Sequence, residues 1–127
     1  MLNRFLYDFI LRFVPILTVD IIVKNKGRYL LVKRNNEPLK GWCYIPGGRV
    51  FKGETMIGAA KRKLKEETGL IAQSLKLYGY SEGLFKESHT TSIVFICDKF
   101  KGKVKLDSQS SSYKWSKTFP SQWIKRI

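Results

Sequence analysis

The chain has 127 residues, of which 43% are hydrophobic and 13% aromatic, so it can build one compact core but not two comfortable domains. Lysine and arginine total 24 against 10 acidic residues, a formal net charge of +14, which predicts an anionic partner for a single domain over residues 1–127. Charge alone does not decide between a basic face that is merely solvated and one that binds a ligand. The possible ligands are nucleic acid, an anionic membrane and a polyphosphate.

The first segment, MLNRFLYDFILRFVP, is predicted to form an amphipathic helix over residues 2–13. Apolar residues recur at positions 2, 5, 6, 9, 10 and 13, which is helical spacing, and Pro15 ends the pattern. Charged residues interrupt it and no small-residue cleavage site follows, so we expect neither a signal peptide nor a membrane span. Packing on its own domain, or on a second subunit in a homodimer, is favoured over a membrane surface.

The next elements predict a mixed sheet covered by helices. ILTVDIIV and RYLLVKR are β-rich runs joined by KNKG as a hairpin, and WCYI is a short strand that Pro46 stops. A helix is expected from Thr55 to Thr68, with Gly69 as its C-terminal stop. SLKLYGY, TSIVFICDKF and YKWSK follow as strands, and PSQWIKRI as a closing helix. Strands on both sides of one central helix indicate an α/β (α+β) fold.

The cysteines indicate a reducing compartment. Cys43 and Cys97 lie in separate apolar stretches and have no metal-ligand spacing, so we expect buried free thiols. Nothing in this usage calls for oxidising conditions, and a cytoplasmic location is predicted.

The central helix directs a carboxylate toward the core. Its apolar positions fall within one arc about 100° wide that we expect to face the sheet: Met56, Ile57, Ala60 and Leu64. Glu67 lies inside this arc and Glu66 on its flank. A carboxylate in such a place is costly unless positive charge meets it.

Two kinds of positive charge could meet these glutamates. A divalent cation with oxygen ligands, completed by a backbone carbonyl of the nearby glycine turn, would satisfy them. Lys63, three and four residues before the glutamates, offers an ion pair as the competing explanation. If both occur, we expect Lys63 to compete with the cation and weaken metal binding.

The stretch from Gly48 to Leu70 resembles the Nudix box. That box reads Gly, five residues, Glu, seven residues, then Arg-Glu-apolar-any-Glu-Glu-any-Gly-apolar. Here Gly48 is followed by Glu54 and then by RKLKEETGL, so every fixed position matches except Lys63, where the box has glutamate.

The resemblance implies a Nudix α/β/α sandwich with a mixed central sheet, and hydrolysis of a nucleoside diphosphate linked to another group. It also implies that Glu66 and Glu67 hold Mg²⁺ or Mn²⁺, and that Glu54 pairs with Arg62 to brace the loop and helix. Such a cation neutralises charge on diphosphate oxygens and orients the attacked atom. Arg49, beside the glycine turn, could contact the same phosphates, although an exposed arginine without a role is an equal alternative. Arg49, Glu66 and Glu67 are the candidate catalytic residues.

Within the family the chain looks most similar to the GDP-mannose mannosyl hydrolases. The resemblance lies in LTVDIIV, LLVKRNNEPLKGWCYIPGGRV and DSQSSSYKW, and these relatives also lack the first box glutamate and carry an N-terminal helix. It implies that Asp20 and Arg34 contact a nucleoside diphosphate sugar. It further implies that Gly48, Glu67 and Gln109 bind the metal.

The resemblance fails at the general base. Those relatives have a histidine after the matching glutamine, whereas this chain has Ser110, and serine has no useful pKa for the task. The chain's only histidine, His89, lies in the polar stretch FKESHTTS and is expected on the surface. The sequence leaves these bases unranked: Glu66, Glu82, Glu87, His89 and Asp107.

Two functions therefore remain. The first is metal-dependent hydrolysis of a nucleoside diphosphate sugar, at phosphorus or at the anomeric carbon. The second is a weakly catalytic or non-catalytic Nudix module that binds nucleotide or RNA through its basic surface. The alternating lysines of KFKGKVKL suit a phosphate backbone, and a lysine-blunted strand edge explains them equally well. The enzyme is favoured because Glu66 and Glu67 stay in register with Gly48 and Glu54.

Overall fold

The computed structural model of the protein describes residues 3–35, 40–86, 88–106 and 110–127. Its elements follow one another along the chain in this order: helix α1 (Arg4–Leu11), strands β1 (Ile16–Asn25), β2 (Arg28–Arg34), β3 (Cys43–Tyr44) and β4 (Gly47–Arg49), helix α2 (Met56–Thr68), strands β5 (Ile71–Ala72), β6 (Lys76–Phe85), β7 (Ser88–Cys97), β8 (Phe100–Lys101) and β9 (Ser110–Ser116), a 3₁₀ turn (Ser121–Trp123) and strand β10 (Lys125–Arg126). The predicted α+β class with a mixed central sheet is confirmed.

Strand β1 is the centre of the sheet, whose main strand order is β10-β6-β7-β1-β2-β3. It runs parallel to β7, with Ile16 opposite Thr90 and Val23 opposite Cys97. Its apolar run is buried on both faces, as is typical of an internal strand. On the other edge, its first half pairs antiparallel with β4 and only its last two residues pair with β2. This arrangement places Asp20 directly opposite Gly47.

The predicted hairpin between β1 and β2 forms with a tight turn. Lys26 and Gly27 both have positive φ, 52° and 73°. Two consecutive residues of this kind match the right-handed twist of the flanking strands. The turn fixes the register of β2, which then pairs with β9 as well.

Helix α2 packs on the sheet through small side chains. Thr55 caps its first turn by accepting a hydrogen bond from Gly58 N at 2.9 Å. Ala59 and Ala60 are fully buried and let the helix approach the sheet closely. The expectation that Met56 and Ile57 face the sheet is wrong, because they are 40% and 46% exposed. They lie in the first turn, and the buried contact begins after it.

The N-terminal helix is shorter than predicted, covering Arg4–Leu11 and not 2–13. Asn3 is the N-cap of the helix, and its Oδ1 accepts a hydrogen bond from Leu6 N at 2.8 Å. None of the residues Arg4–Leu11 is buried. The helix touches the domain through Tyr7, whose ring lies 4.5 Å from the Arg49 guanidinium. A second subunit covering its apolar side remains a prediction.

The predicted closing helix is wrong. The last segment forms the 3₁₀ turn and then strand β10, which pairs with β6. Ile127 N also donates to Tyr78 O at 3.0 Å. Eight residues are marginal for a helix, and the edge of β6 offers the backbone partners that a strand needs. In the parts of the chain described, no helix has the length and apolar character needed to cross a membrane.

Gly69 should be more sensitive to substitution than Gly27, although both have positive φ, 76° and 73°. Alanine at either site loses about 1 kcal/mol to the left-handed backbone. At Gly69 the added Cβ would also lie 3.2 Å from Lys103 O, whereas at Gly27 it would meet no heavy atom of the described residues within 4 Å. We expect Gly69→Ala to lower the free energy of unfolding by about 1 kcal/mol more than Gly27→Ala in urea. Equal losses would contradict this packing at the end of α2.

Candidate functional site

A cleft of about 1030 Å³ lies where β1, β4 and the second half of α2 meet. Most of the residues predicted for the site line it: Asp20, Arg34, Gly48, Arg49, Arg62, Glu66 and Glu67. Gln109, the remaining predicted metal ligand, lies outside the described residues. The sheet and the central helix thus bring together residues that are up to 47 positions apart in the sequence.

Arg62 and Glu54 join the loop after β4 to helix α2. Arg62 donates from Nε to Glu54 Oε2 at 2.7 Å and from Nη2 to Glu54 Oε1 at 2.9 Å. Its Nη2 also donates to the Arg49 carbonyl at 2.9 Å. These Arg62 hydrogen bonds, helped by the Phe51 N–H, lower the pKa of Glu54 to about 2. The pair expected from the sequence therefore forms and braces the loop.

The two box glutamates differ in exposure. Glu67 is buried, as its position on the helix predicts, and its Oε1 accepts a hydrogen bond from Gly47 N at 2.9 Å. Glu66 is half-exposed, with 49% of its side chain accessible, and accepts from Arg62 Nη1 at 3.3 Å. Both carboxylates face the cleft.

Lys63 lies between the glycine turn and Glu66. Its side chain is only 17% exposed, and its Nζ lies 3.6 Å from Glu66 Oε2. A side chain at Gly48 would collide with the methylene groups of Lys63. The ammonium therefore points into the cleft, as the helix geometry predicts, and occupies space beside the carboxylates.

The carboxylates of the cleft could bind a hard divalent cation that is also bound by substrate phosphates. Mg²⁺ usually keeps several waters and binds through one or two carboxylates together with substrate phosphates. Glu66 and Glu67 supply two carboxylates next to Gly48. Among the residues that the structure describes, no three acidic, histidine or cysteine side chains form a closed metal cage. The site is thus suited to a cation shared with the substrate.

Asp20 is a partly buried acid that lines the cleft. Its Oδ2 accepts a hydrogen bond from Ser92 Oγ at 2.5 Å. Burial raises the pKa of Asp20 to about 6, although Ser92 and the positive charge of Arg34 both lower it. A side chain at Gly47 would collide with the Asp20 carboxyl, so glycine is required there. Asp20 can therefore change its charge near neutral pH.

The candidate bases separate into two groups. Glu66 and Glu82 line the cleft, as does Ser110. His89, expected on the surface in a loop, lies in β7 instead and is partly exposed, and its Nε2 is buried without a hydrogen-bond partner in the described part of the chain. Thr90 and Ser92 line the cleft, so strand alternation directs His89 to the opposite face. Glu87 and Asp107 lie outside the described residues.

Several residues of the cleft were missed by sequence reasoning. Tyr7 and Trp123 line it, and Tyr44 does so beside Asp20, whose charge together with burial raises the tyrosine pKa. Trp123 was hidden in the segment predicted as a closing helix. The available signal was the tryptophan itself, since large aromatic residues often mark binding surfaces. Of the cysteines, Cys97 is buried as predicted, whereas Cys43 is only partly buried, and both are free thiols.

Comparison with known proteins places this site in a family context. The NUDIX domain family model matches residues 14–124. The ADP-ribose pyrophosphatase of Methanocaldococcus jannaschii is 42% identical over 93 residues, which cover 72% of this chain and 55% of that protein. The low-salt glycan biosynthesis protein Agl8 of Haloferax volcanii is 44% identical over 57 residues, 45% of this chain and 36% of that protein. The matches thus span about half or less of these relatives.

A solved structure shares the fold. The MutT NUDIX hydrolase from Burkholderia pseudomallei superposes with a TM-score of 0.79 at 23% identity, over 81% of this chain and 83% of that chain. At this identity the likeness concerns the arrangement of helices and strands.

Lys63→Ala should tighten Mg²⁺ binding. The ammonium lies 3.6 Å from Glu66 and competes with a cation for the same carboxylate. We expect a gain of about twofold to tenfold in affinity by calorimetry, and a larger gain for Lys63→Glu, which adds a ligand. Lys61→Ala is the matched control, because it removes the same charge from an exposed position of the helix. If Lys61→Ala has the same effect, the contact with Glu66 does not control metal binding.

Asp20→Asn should stabilise the protein above pH 6. The raised pKa of Asp20, about 6 against 3.8, means that folding favours the neutral acid. The contribution of the Asp20 side chain to folding stability is complete below pH 3.8 and is lost as the pH rises through about 6. The variant should therefore be more stable by roughly 3 kcal/mol at pH 8 and match the wild type near pH 3.5. Urea unfolding across this range measures it; Asp98→Asn, whose carboxyl has a lowered pKa, should change in the opposite direction.

Proposed function

The chain belongs to the Nudix family, and on that premise we propose that it hydrolyses a nucleoside diphosphate sugar with the help of Mg²⁺ or Mn²⁺. The observation that carries the proposal is the position of Glu66 and Glu67 on the same cleft as Arg34 and Arg49. The carboxylates that would bind a cation and the guanidinium groups that would bind phosphates therefore line the same cleft. A module that only bound nucleic acid would not need the glutamates in this register.

Four residues would hold the cation: Gly48, Glu66, Glu67 and Gln109. When bound, it neutralises charge on the diphosphate and orients the attacked atom. Glu67 is positioned for this by its hydrogen bond from Gly47 N. Glu66 is positioned by Arg62, which is itself held by Glu54.

Arg49 is suited to bind the diphosphate. Its guanidinium lies 4.5 Å from the Tyr7 ring and 5.6 Å from the Phe51 ring, which restrict where it can point. Its backbone carbonyl is held by Arg62. A charge-assisted contact from a restrained arginine loses less freedom than one from a mobile side chain.

Asp20 and Arg34 are proposed to contact the nucleoside or the sugar. The neutral acid can donate a hydrogen bond to a hydroxyl, whereas the carboxylate only accepts. The M. jannaschii relative named for ADP-ribose, itself a nucleoside diphosphate sugar, supports this substrate class. A GDP-mannose-like sugar is proposed on the match of Asp20, Arg34 and Gln109 to that branch. The free thiols of Cys43 and Cys97 support a cytoplasmic setting.

A second candidate function rests on a basic surface near the end of α2. Lys105 N donates to Thr68 O at 2.6 Å, which brings the segment after β8 to the helix. The exposed lysines gathered there are Lys61, Lys65, Lys101, Lys103 and Lys105. They could bind RNA phosphates, and such binding would weaken steeply with salt. Salt-resistant turnover of a nucleotide sugar would favour the enzyme.

Turnover should require Glu67 and a divalent cation, and nucleotide sugars should be better substrates than triphosphates. ADP-ribose, GDP-mannose, ATP and dGTP are assayed with Mg²⁺, with Mn²⁺ and with excess chelator. Glu67→Gln keeps an acceptor for Gly47 N but removes the charge, so we expect turnover to fall on the order of a hundredfold. Full activity of this variant, or preference for triphosphates, would overturn the proposal.

The attacked atom is identified in ¹⁸O-water. Label in the released sugar indicates attack at the anomeric carbon, and label in a phosphate indicates attack at phosphorus. Either result identifies the atom that the activated water attacks.

A further inference from the structure

Two of the three tryptophans lie side by side, and one of them, Trp123, lines the cleft. Trp42 is 50% exposed and Trp123 is 39% exposed, with ring centroids 5.6 Å apart. The Trp123 ring also lies 5.8 Å from the ring of Tyr44. The third, Trp115, stacks on Phe100 and packs against the core. Single exposed apolar residues are normal, but an adjacent pair of half-exposed tryptophans leaves a large apolar surface without a partner.

The backbone holds both rings in place. Trp42 O accepts from Arg34 N at 2.9 Å, and Gly41 N donates back to Arg34 O at 2.9 Å. Trp123 ends the 3₁₀ turn, after which Ile124 packs against the second core cluster and β10 pairs with β6. The backbone of both tryptophans is therefore held in place, and their rings contact each other.

The contacts of the lining residues form two groups of different chemistry. Trp123 packs on Tyr44, whereas Arg49 and Arg62 both lie against Phe51, and Arg62 pairs with the box residue Glu66. A nucleotide likewise has two groups of different chemistry, a diphosphate and a flat aromatic base. Bases stack well on aromatic side chains, and the interaction tolerates different bases because each has a π-face.

We propose that Trp123, supported by Trp42, forms the subsite that stacks the nucleobase of the substrate. This inference rests on the proposed use of the cleft for a nucleotide. Trp123 provides the stacking surface because it lines the cleft, and Trp42 restricts the orientation of that ring by contact with it. The base is thereby recognised as an aromatic plane.

The test measures binding without hydrolysis. The probes are α,β-methylene-ADP and methylenediphosphonate, which share a non-hydrolysable diphosphate mimic but differ by the nucleoside. Calorimetry in Mg²⁺ buffer gives both affinities for the wild type. We expect the nucleotide to bind at least about tenfold tighter than methylenediphosphonate, because stacking contributes on this scale.

Variants test whether the difference in affinity between the two probes comes from the Trp123 ring. Trp123→Ala should bind α,β-methylene-ADP about tenfold more weakly and methylenediphosphonate as the wild type does, while Trp123→Phe should retain most of the nucleotide affinity. Trp42→Ala should have a smaller effect in the same direction. Phe9→Ala is the control, since it removes an aromatic ring that is 55% exposed on α1 and does not line the cleft. Thermal unfolding confirms that each variant is folded.

Three outcomes would overturn the subsite. These are a wild type that binds both probes equally, a Trp123→Ala variant with unchanged nucleotide affinity, and a loss that is the same for both probes. None of them depends on turnover. Hydrolysis of nucleotide sugars by a protein that binds both probes equally would leave the proposed enzyme and remove the subsite, and tighter binding of α,β-methylene-ADP without hydrolysis of nucleotide sugars would do the reverse.

Discussion

The ion pair between Arg62 and Glu54 is the contact on which the geometry of the cleft depends. One guanidinium binds the Glu54 carboxylate twice, at 2.7 and 2.9 Å, and binds the Arg49 carbonyl at 2.9 Å. The first contact holds the loop to α2, and the last holds the end of β4 to the same helix. Because the glycine turn belongs to the strand and Glu66 and Glu67 belong to the helix, Arg62 helps to set their separation, together with the hydrogen bond from Gly47 N to Glu67. A lysine could supply the charge but not the planar fork of donors that binds both carboxylate oxygens at once.

The charge balance of the cleft explains how acidic side chains persist together in a chain with a net charge of +14. Glu66 forms ion pairs with Arg62 and Lys63, and Glu67 accepts a hydrogen bond from the Gly47 amide. Protein donors thus meet each carboxylate before any ligand arrives, which offsets the cost of keeping them partly buried. An incoming divalent cation must share or displace these donors. A diphosphate, in contrast, would find Arg49 and Lys63 already in the cleft.

Much of this arrangement follows from local sequence. The turn at Gly69 and the inward position of Glu67 depend on helix geometry alone, so the sequence predicts both. Met56 and Ile57 were misplaced because periodicity defines the apolar side of a helix but not where the sheet beneath it ends. His89 was misplaced because its polar neighbours form a strand only through pairing with β6. The C-terminal segment forms a strand for the same reason, since it pairs with the distant strand β6. Because that segment was predicted as a helix, the position of Trp123 in the cleft was not predicted either.

Strand β1 connects the two ends of the cleft through Asp20. Its register sets Asp20 opposite Gly47 at the start of the glycine turn, next to the box glutamates. On the other side, the Asp20 charge helps to raise the pKa of Tyr44, whose ring packs on Trp123. A ligand that spans both ends must pass this acid, whose pKa of about 6 lies close to neutrality. Protonation of one side chain therefore changes the electrostatics of the turn and of the aromatic end together, because the same strand holds it against both.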